Sequence, residues 1–159
     1  MSLGVWMDRV ENDPTVGAVR KLGELPESRT RHGAQVPWSF RNRKAYKGAV
    51  PPSAIRAAIR EAPIEDVDLT DPKLFSIQHS VSRERVREYL DNPDLAKGRV
   101  NPKSKTPADV PIVIQYGGER FIHDGNHRLT AAYLEGRTTE PARLVDLDAM
   151  TRKETSDAA

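Results

Sequence analysis

Residues 121–136, FIHDGNHRLTAAYLEG, contain in order the end of a strand, a glycine turn and a short helix. Asp124-Gly125 is typical of a sharp turn, and a helix is predicted to begin near Asn126. Gly136 is its expected stop, and its predicted buried face consists of Leu129, Ala132 and Tyr133. This order of signals predicts that a strand and a helix meet through one tight turn.

The residues on either side of this stretch indicate further strands. Residues 112–116 and 120–122 are apolar and rich in β-branched side chains, and Gly117-Gly118 between them is typical of a tight hairpin turn. Another strand is predicted over residues 142–147. We therefore expect one mixed sheet, with the helix of residues 126–135 packed on it.

The predicted turn has the chemistry of an anion site. Backbone N–H groups in the first turn of a helix lack intrahelical partners, and the helix dipole places partial positive charge there. Gly125 leaves these amides accessible, while Asn126, His127 and Arg128 would be displayed beside them. Free amides together with an arginine favour phosphate or another anion.

The motif Asp124-Gly-Asn-His-Arg128, followed by Leu-Thr-Ala-Ala, resembles the Asp-Gly-x-His-Arg signature of the ParB/sulfiredoxin superfamily. The resemblance extends over roughly residues 64–148 and includes the hairpin before the motif and the strand after its helix. It implies an α/β (α+β) fold of ParB/sulfiredoxin type, in which a mixed sheet carries packed helices; in this chain we expect a basic N-terminal extension before it.

Two departures from the family narrow the implied activity. Sulfiredoxins carry a cysteine where this chain has Asn126, and the chain contains no cysteine, so repair chemistry through a cysteine is excluded. Chromosome-partitioning ParB proteins carry Gly-Glu-Arg-Arg where this chain has Gly125-Asn-His-Arg128. The chain is more similar to the small branch that includes nucleotide-dependent serine kinases and phage or plasmid proteins described as ATPases or nucleases.

This branch implies a phosphate-handling protein. We expect a nucleotide, or nucleic-acid phosphate, to bind at the turn of residues 124–128, with phosphoryl transfer or hydrolysis of a phosphodiester or nucleoside triphosphate there. Mg²⁺ arriving with ATP or another nucleotide is the expected cofactor, and Asp124 is its expected protein ligand. The alternative is a non-catalytic DNA-binding or regulatory protein of a mobile element.

Each side chain of the turn has a functional and a structural interpretation. His127 is predicted to act as acid, base or phosphate orienter, or else to cap its helix or bind Asp124. Arg128 is predicted to grip a phosphate bidentately, or else to form a salt bridge with Asp124 or Asp146. Asp124 would hold metal or take part in catalysis, or only fix the turn, and Asn126 would contact ligand or only serve the turn.

The opposite wall of the pocket is expected from Gln78 and His79, although Gln78 would alternatively bind a loop backbone. His123 and His127 are four residues apart, a spacing seen in metal sites. No zinc site is expected from them, because Gly125 interrupts any helix that would place both ligands on one face.

Basic residues are concentrated in an arm. From residue 28 to residue 60 no acidic residue occurs, and aromatic residues alternate with the cations. This pattern is typical of single-strand binders, so DNA or RNA contact is predicted through Arg41, Arg43, Lys44 and Lys47. The alternative is a solvated arm whose aromatic residues pack onto the domain: Trp38, Phe40 and Tyr46.

Three elements are predicted between the arm and the hairpin. Residues 51–61 form a short helix capped by Ser53, whose apolar face is placed to pack across the sheet. A strand over residues 64–69 and a helix over residues 82–90 follow. The expected organisation is a polar to basic extension (1–50), the ParB/sulfiredoxin-like domain with one preceding helix (51–149) and a disordered tail (150–159).

The composition is that of one globular domain. With 159 residues, of which 37% are hydrophobic and 30% charged, the chain is long enough for a single core. No run reaches the length of a membrane helix, residues 1–10 lack the apolar core of a signal peptide, and residues 1–26 show no clear period. We expect a cytoplasmic protein without membrane contact, and the sequence does not determine its oligomeric state.

Overall fold

Residues 14–29 and 33–158, which the computed structural model describes, form five α-helices, one 3-10 helix and seven strands. The helices are α1 (Pro14–Glu24), α2 (Pro52–Glu61), α3 (Arg83–Asp91), α4 (Asn126–Leu134) and α5 (Leu147–Ala158), and the 3-10 helix is Arg43–Ala45. The strands are β1 (Gly33–Gln35), β2 (Ile64–Asp68), β3 (Leu74–Ser76), β4 (Ser80–Ser82), β5 (Ile112–Tyr116), β6 (Glu119–Asp124) and β7 (Thr139–Asp146). Residues 1–13, 30–32 and 159, which belong to the predicted extension and tail, lie outside the described residues, Arg31 of the basic arm among them.

Five strands form one mixed sheet in the order β2-β7-β5-β6-β3. The hairpin strands β5 and β6 are antiparallel, whereas β5 with β7 and β3 with β6 are parallel. The predicted hairpin and the strand predicted over residues 142–147 therefore lie side by side in one sheet, and the α+β class is confirmed. β1 and β4 pair separately as a two-stranded antiparallel sheet.

The hairpin turn follows from its two glycines. Gly117 and Gly118 have φ angles of 64° and 77°, and positive φ at both central residues is what a type I′ turn requires. The backbone N–H of Gly117 also donates to the carboxylate of Asp148 at 2.8 Å, which ties the turn to α5. The tight turn predicted at these residues is confirmed.

The two faces of the sheet bury different residues because neighbouring side chains of a strand point to opposite sides. Val113 of β5 is fully buried in one apolar cluster with Leu129 of α4. Ile114, the next residue, belongs to another cluster with Ile59 of α2 and Leu147 of α5. The sheet is thus covered by α4 on one face and by α2 and α5 on the other.

The buried surface of α4 differs in one residue from the predicted face. Tyr133 is 41% exposed, and its ring meets that of Trp38 edge-on, with ring centres 5.8 Å apart. Ala131 and Leu134 are buried in its place, because α1 and α3 pack against a second side of α4. The predicted burial of Leu129 and Ala132 is confirmed, whereas that of Tyr133 is wrong, because the helix is covered from two directions.

The helix predicted over residues 51–61 is present as α2, but its cap is not Ser53. Pro51 occupies the N-cap position without a side-chain hydrogen bond, and the helix begins at Pro52. A proline is well suited to the first helical position, since its fixed φ is helical and it has no N–H to satisfy. The helix therefore starts early enough to place Ser53 inside its first turn, where it cannot act as the cap.

An unpredicted helix, α1, lies in the segment described from the sequence as having no clear period. Ala18 and Leu22 are buried and form one cluster with Val86 of α3 and Ala131 of α4. The local signal is weak because Gly17 and Gly23 lower helix propensity. Tertiary packing supplies what local propensity does not, and this part of the extension is integral to the core.

The chain end is helical where a disordered tail is predicted. Asp146 accepts a hydrogen bond from the N–H of Ala149 at 3.0 Å, and the Thr151 hydroxyl donates to the carbonyl of Leu147 at 2.9 Å. Met150 packs against the cluster beneath α2, so the start of α5 is anchored.

With 12 residues α5 is the longest described helix, and no helix in the described part of the chain is long and apolar enough to cross a membrane.

The packing of α1 yields a stability prediction. Leu22→Ala removes a side chain that is 5% exposed, and we expect the free energy of unfolding to fall by about 2–5 kcal/mol. Val16→Ala on the same helix is the control, because Val16 is 38% exposed and its truncation should change stability by less than about 0.5 kcal/mol. Urea unfolding of both variants measures the difference, and equal losses would mean that α1 does not belong to the core.

Candidate functional site

The turn between β6 and α4 is set by Gly125. This residue has φ 91° and ψ 22°, a left-handed backbone conformation that residues other than glycine rarely adopt. A Cβ atom at this position would lie 2.7 Å from both Cα and Cβ of Pro111. Asp124 accepts the N–H of Gly125 at 2.8 Å. Only glycine fits here, because both the backbone angle and the space exclude a larger residue.

The first turn of α4 opens onto a cavity of about 190 Å³, called the α4 cavity below. Its walls include the whole turn from Asp124 to Arg128 together with Gln78, Arg85, Tyr89, Arg99, Asp109 and Pro111. The first hydrogen bond of the helix runs from the N–H of Leu129 to the carbonyl of Gly125. The amides of residues 126–128 precede it and therefore have no intrahelical acceptor. No other acceptor for them lies in the described chain, so the first turn of α4 carries unpaired amides beside the cavity.

Asn126 serves the fold with its side chain. The residue is 3% exposed, and Ser76 at the end of β3 donates to its Oδ1 at 2.6 Å. This buried hydrogen bond joins α4 to β3. The arrangement corresponds to the structural interpretation of Asn126, while its side-chain nitrogen Nδ2 has no partner in the described chain.

His127 is also engaged, and its partner is neither of those predicted. Its Nε2 accepts the backbone N–H of Ser82 at 3.1 Å, so it caps the preceding helix, α3, and not its own. Burial, assisted by the nearby Arg85, lowers the pKa of His127 below its ordinary value of 6.5. Because the lone pair of Nε2 is used, the proton of the neutral ring lies on Nδ1. The ring can therefore donate a hydrogen bond, but it has no free lone pair with which to act as a base.

Arg128 forms structural contacts, although not with the partners expected from the sequence. One guanidinium N–H donates to the carbonyl of Asp109 at 2.6 Å, and Nε lies 3.7 Å from a carboxylate oxygen of Glu140. The Glu140 side chain is 6% exposed and is bound by Arg137 as well, at 3.0 Å. The salt bridge predicted to Asp124 or Asp146 is instead made to a buried glutamate of β7, and it uses part of the arginine fork.

Asp124 is exposed and borders two cavities. It lines the α4 cavity and also a second one on the side of α2, described below. Its hydrogen bond to Gly125 corresponds to the predicted turn-fixing role. Asp124 is nevertheless exposed and lines both cavities, so a metal or ligand role is compatible with this position.

The predicted second wall is only half assembled. Gln78 lines the α4 cavity, while its side-chain amide donates to the carbonyl of Ser80 at 2.9 Å, as in its structural interpretation. His79 lies in a different cavity, where its ring stacks on Phe40 with centres 3.6 Å apart. Gln78 lines that cavity as well, so the bend of residues 77–79 brings Gln78 to both cavities and His79 to one.

Two arginines of the α4 cavity are absent from the sequence predictions. Neither the Arg85 nor the Arg99 guanidinium forms a hydrogen bond or ion pair with the described part of the chain. Helical spacing contained a signal for the first, since Arg85 and Tyr89 are four residues apart on α3 and line the same cavity. Arg99 lies in an irregular segment between α3 and β5, for which the sequence has no comparable pattern.

The basic arm combines both interpretations made for it. Trp38 and Tyr46 are buried, and the indole N–H of Trp38 donates to the carbonyl of Leu69 at 3.0 Å. Phe40 remains 38% exposed.

Among the cations of the arm, Arg41 forms a 2.8 Å salt bridge with Glu119. The side chains of the other predicted nucleic-acid contacts are exposed and form no ion pair with the described residues: Arg43, Lys44 and Lys47. Nucleic-acid binding by this arm stays a prediction.

The histidine pair does not converge on one site. His123 lines the cavity next to α2, whereas His127 lines the α4 cavity. Across residues 14–29 and 33–158 no group of three or more His, Cys, Asp or Glu side chains is arranged to hold a metal ion. Mg²⁺ binding through Asp124, which would need phosphate oxygens as further ligands, stays a prediction.

The engaged state of His127 predicts a pH effect on stability. Since its pKa is lower in the folded chain than the ordinary 6.5, its stabilising contribution is complete above about pH 6.5 and declines as the pH falls below that value. His127→Gln keeps an acceptor for the Ser82 N–H but cannot titrate. We expect this variant to lose less stability than the wild type between pH 8 and pH 5 in thermal unfolding. An identical pH dependence in both proteins would contradict the assigned role.

Comparison with known proteins finds no match to this chain: no protein-family model, no curated protein and no solved structure is significantly similar to it. The family resemblance of the 124–128 motif therefore stays an expectation from the sequence. What the protein does has to be argued from the geometry and charge of its cavities.

Proposed function

We propose that the protein binds the phosphate groups of a nucleotide in the α4 cavity and transfers a phosphoryl group or hydrolyses a phosphate ester there. One observation carries this proposal: Arg85 and Arg99, neither of which has an acidic partner, line the same cavity as the unpaired amides of α4. Helix N-terminal amides and arginine guanidinium groups are both donors that match phosphate oxygens. Their presence around one cavity favours an anionic ligand.

The other charges around the cavity support the same conclusion. Asp109 is paired with Arg143 at 3.4 Å, and Glu140 is paired with Arg128 and Arg137. Each of these carboxylates is thus neutralised by its arginine partners. Asp124 is then the only carboxylate lining the cavity without an arginine partner among the described residues, set against two free guanidinium groups. An excess of positive charge in a concave site raises the local concentration of anions.

The size of the cavity constrains how a nucleotide would bind. Sites that enclose a drug-sized ligand usually measure about 300–1,000 Å³, and the α4 cavity measures about 190 Å³. It is large enough for a phosphate chain but too small for a complete nucleotide. We therefore expect the phosphates to enter the cavity and the base to lie outside it.

Within this proposal each side chain has a separate role in binding or orienting the phosphates. Phosphoryl transfer depends mainly on positioning the phosphates and stabilising developing charge. Arg85 and Arg99 would neutralise phosphate oxygens, and His127 would donate from Nδ1 as an orienter. Asp124 would hold Mg²⁺ together with the phosphates. Arg128, held by Glu140 and by the carbonyl of Asp109, would position the turn. This assignment replaces the acid–base role expected for His127, because its Nε2 lone pair is already occupied.

A second candidate function is nucleic-acid binding without catalysis, as expected of a regulatory protein from a mobile element. The observation in its favour is that Arg43, Lys44 and Lys47 are exposed and have no acidic partner in the described chain. These charges would neutralise backbone phosphates of DNA or RNA. We propose that the protein resides in the cytoplasm. Catalysis is not required for this function.

The nucleotide proposal is tested most directly with Arg85→Gln and Arg99→Gln. Each substitution removes one charge-assisted hydrogen bond to phosphate, and we expect the affinity for ATP, titrated calorimetrically with and without Mg²⁺, to fall roughly tenfold per residue. Release of inorganic phosphate from ATP should fall with it. Arg87→Gln is the matched control, because Arg87 is an exposed arginine of the same helix that does not line the cavity. Unchanged ATP affinity in a folded Arg85→Gln/Arg99→Gln protein would overturn the proposal.

The nucleic-acid alternative has its own test. Replacing Arg43, Lys44 and Lys47 together by glutamine should weaken single-stranded DNA binding and flatten its salt dependence, by roughly 0.7 in the log–log slope for each lost phosphate contact. Fluorescence anisotropy at several salt concentrations measures this slope. A triple variant that binds with the wild-type slope would show that the arm is not the nucleic-acid surface.

A further inference from the structure

A second cavity, called the α2 cavity below, has a volume of about 450 Å³ and lies between the basic arm, α2 and the end of β6. Unlike the α4 cavity, it is lined largely by the arm and α2. Both of these precede residues 64–148, the segment that carries the family resemblance. His123 faces it from β6, and Ile112 faces it from β5. Asp124 is the one residue of the 124–128 turn that borders it.

Positive charge dominates the lining. Arg43 and Lys47 come from the arm and Arg56 from α2, and all three are exposed. None of their side chains forms an ion pair or hydrogen bond with the described part of the chain. Among the described residues that line the cavity, Asp124 is the only acidic one. Three unpaired cations against one carboxylate favour an anionic occupant.

A hydrogen-bonded pair places a further donor in the cavity. The hydroxyl of Tyr46 and Nδ1 of His123 are 2.8 Å apart. Burial raises the pKa of Tyr46 to about 12, so the hydroxyl keeps its proton and can donate it to Nδ1. The proton of the neutral imidazole then lies on Nε2, which has no partner in the described chain. His123 would thus offer Nε2–H to a ligand while Tyr46 holds the ring in place.

The rest of the cavity is lined by apolar side chains and by three polar residues of the segment before β5, Asn101, Ser104 and Thr106. Val50, Ile55, Ile59 and Ile112 line it, and all except Ile55 are buried. A volume of about 450 Å³ is within the range of small-molecule sites, which combine an apolar lining with a few fixed polar groups. An inorganic ion would use only the charged part of such a site and leave its apolar part in contact with water.

We propose that the α2 cavity is a binding site for a small organic anion, a molecule that joins a phosphate or carboxylate group to an apolar body. The anionic group would contact Arg43, Lys47 and His123, and the apolar body would pack against the isoleucines. This inference does not depend on the nucleotide proposal, because the described residues that line the two cavities have only Asp124 in common and share no arginine or lysine.

The test uses phenyl phosphate, benzoate and inorganic phosphate as probes on the full chain. We expect phenyl phosphate to bind at least about tenfold more tightly than inorganic phosphate, since burying the ring removes apolar surface from water. In ¹H–¹⁵N spectra the shifted amides should be those of Tyr46, Gly48 and His123. Benzoate should shift the same amides, and the ratio of its affinity to that of phenyl phosphate distinguishes a carboxylate from a phosphate preference.

Variants locate the binding and separate it from the α4 cavity. Arg43→Gln and Lys47→Gln should each weaken phenyl phosphate binding roughly tenfold, whereas Lys44→Gln is the matched control, because Lys44 is a neighbouring exposed lysine that does not line the cavity. Arg85→Gln should leave this binding unchanged. Equal losses in Lys44→Gln and Lys47→Gln, or binding that is lost in Arg85→Gln and retained in Lys47→Gln, would overturn the inference. So would inorganic phosphate binding as tightly as phenyl phosphate.

Discussion

Gly125 approaches Pro111 so closely that no Cβ atom can be accommodated between them, and its left-handed backbone turns the chain from β6 into α4. This contact fixes the direction in which the helix leaves the sheet. Glycine loses more backbone conformational entropy on folding than any other residue. The surrounding contacts must offset this cost. Because the turn is constrained by both torsion and space, the residues that follow it have well-defined positions relative to the sheet.

The three residues after this turn each fasten α4 to a different part of the fold. Asn126 binds Ser76 of β3, His127 binds the backbone that starts α3, and Arg128 binds Glu140 of β7. The side chains that resemble a family signature are therefore occupied in holding walls together. Their backbone amides, the Nδ1–H of His127 and the cations of neighbouring segments remain available to a ligand. A motif can thus mark a site without supplying most of its contacts, since it shapes a cavity that other residues line.

Features that depend on neighbouring residues were predictable from the sequence, and those that depend on distant segments were not. The hairpin rests on Gly117-Gly118, and the turn into α4 rests on Gly125, so local backbone preferences sufficed. The helix around Leu22 escaped prediction because its burial is decided by α3 and α4 and its glycines weaken the local signal. Arg85 escaped for a related reason, since its place beside the first turn of α4 is created by the packing of α3. Side-chain roles were the least predictable, because His127 and Arg128 found partners on other elements.

Asp124 forms part of the wall of both cavities, at the point where β6 ends. Any ligand that attracts or displaces this carboxylate from one side also changes the electrostatic environment on the other. Linkage then requires the two effects to be equal in free energy: an occupant of the first cavity alters affinity in the second by the same factor as the reverse. One shared side chain would in this way make two chemically separate cavities heterotropically coupled, with no movement of the sheet or helices.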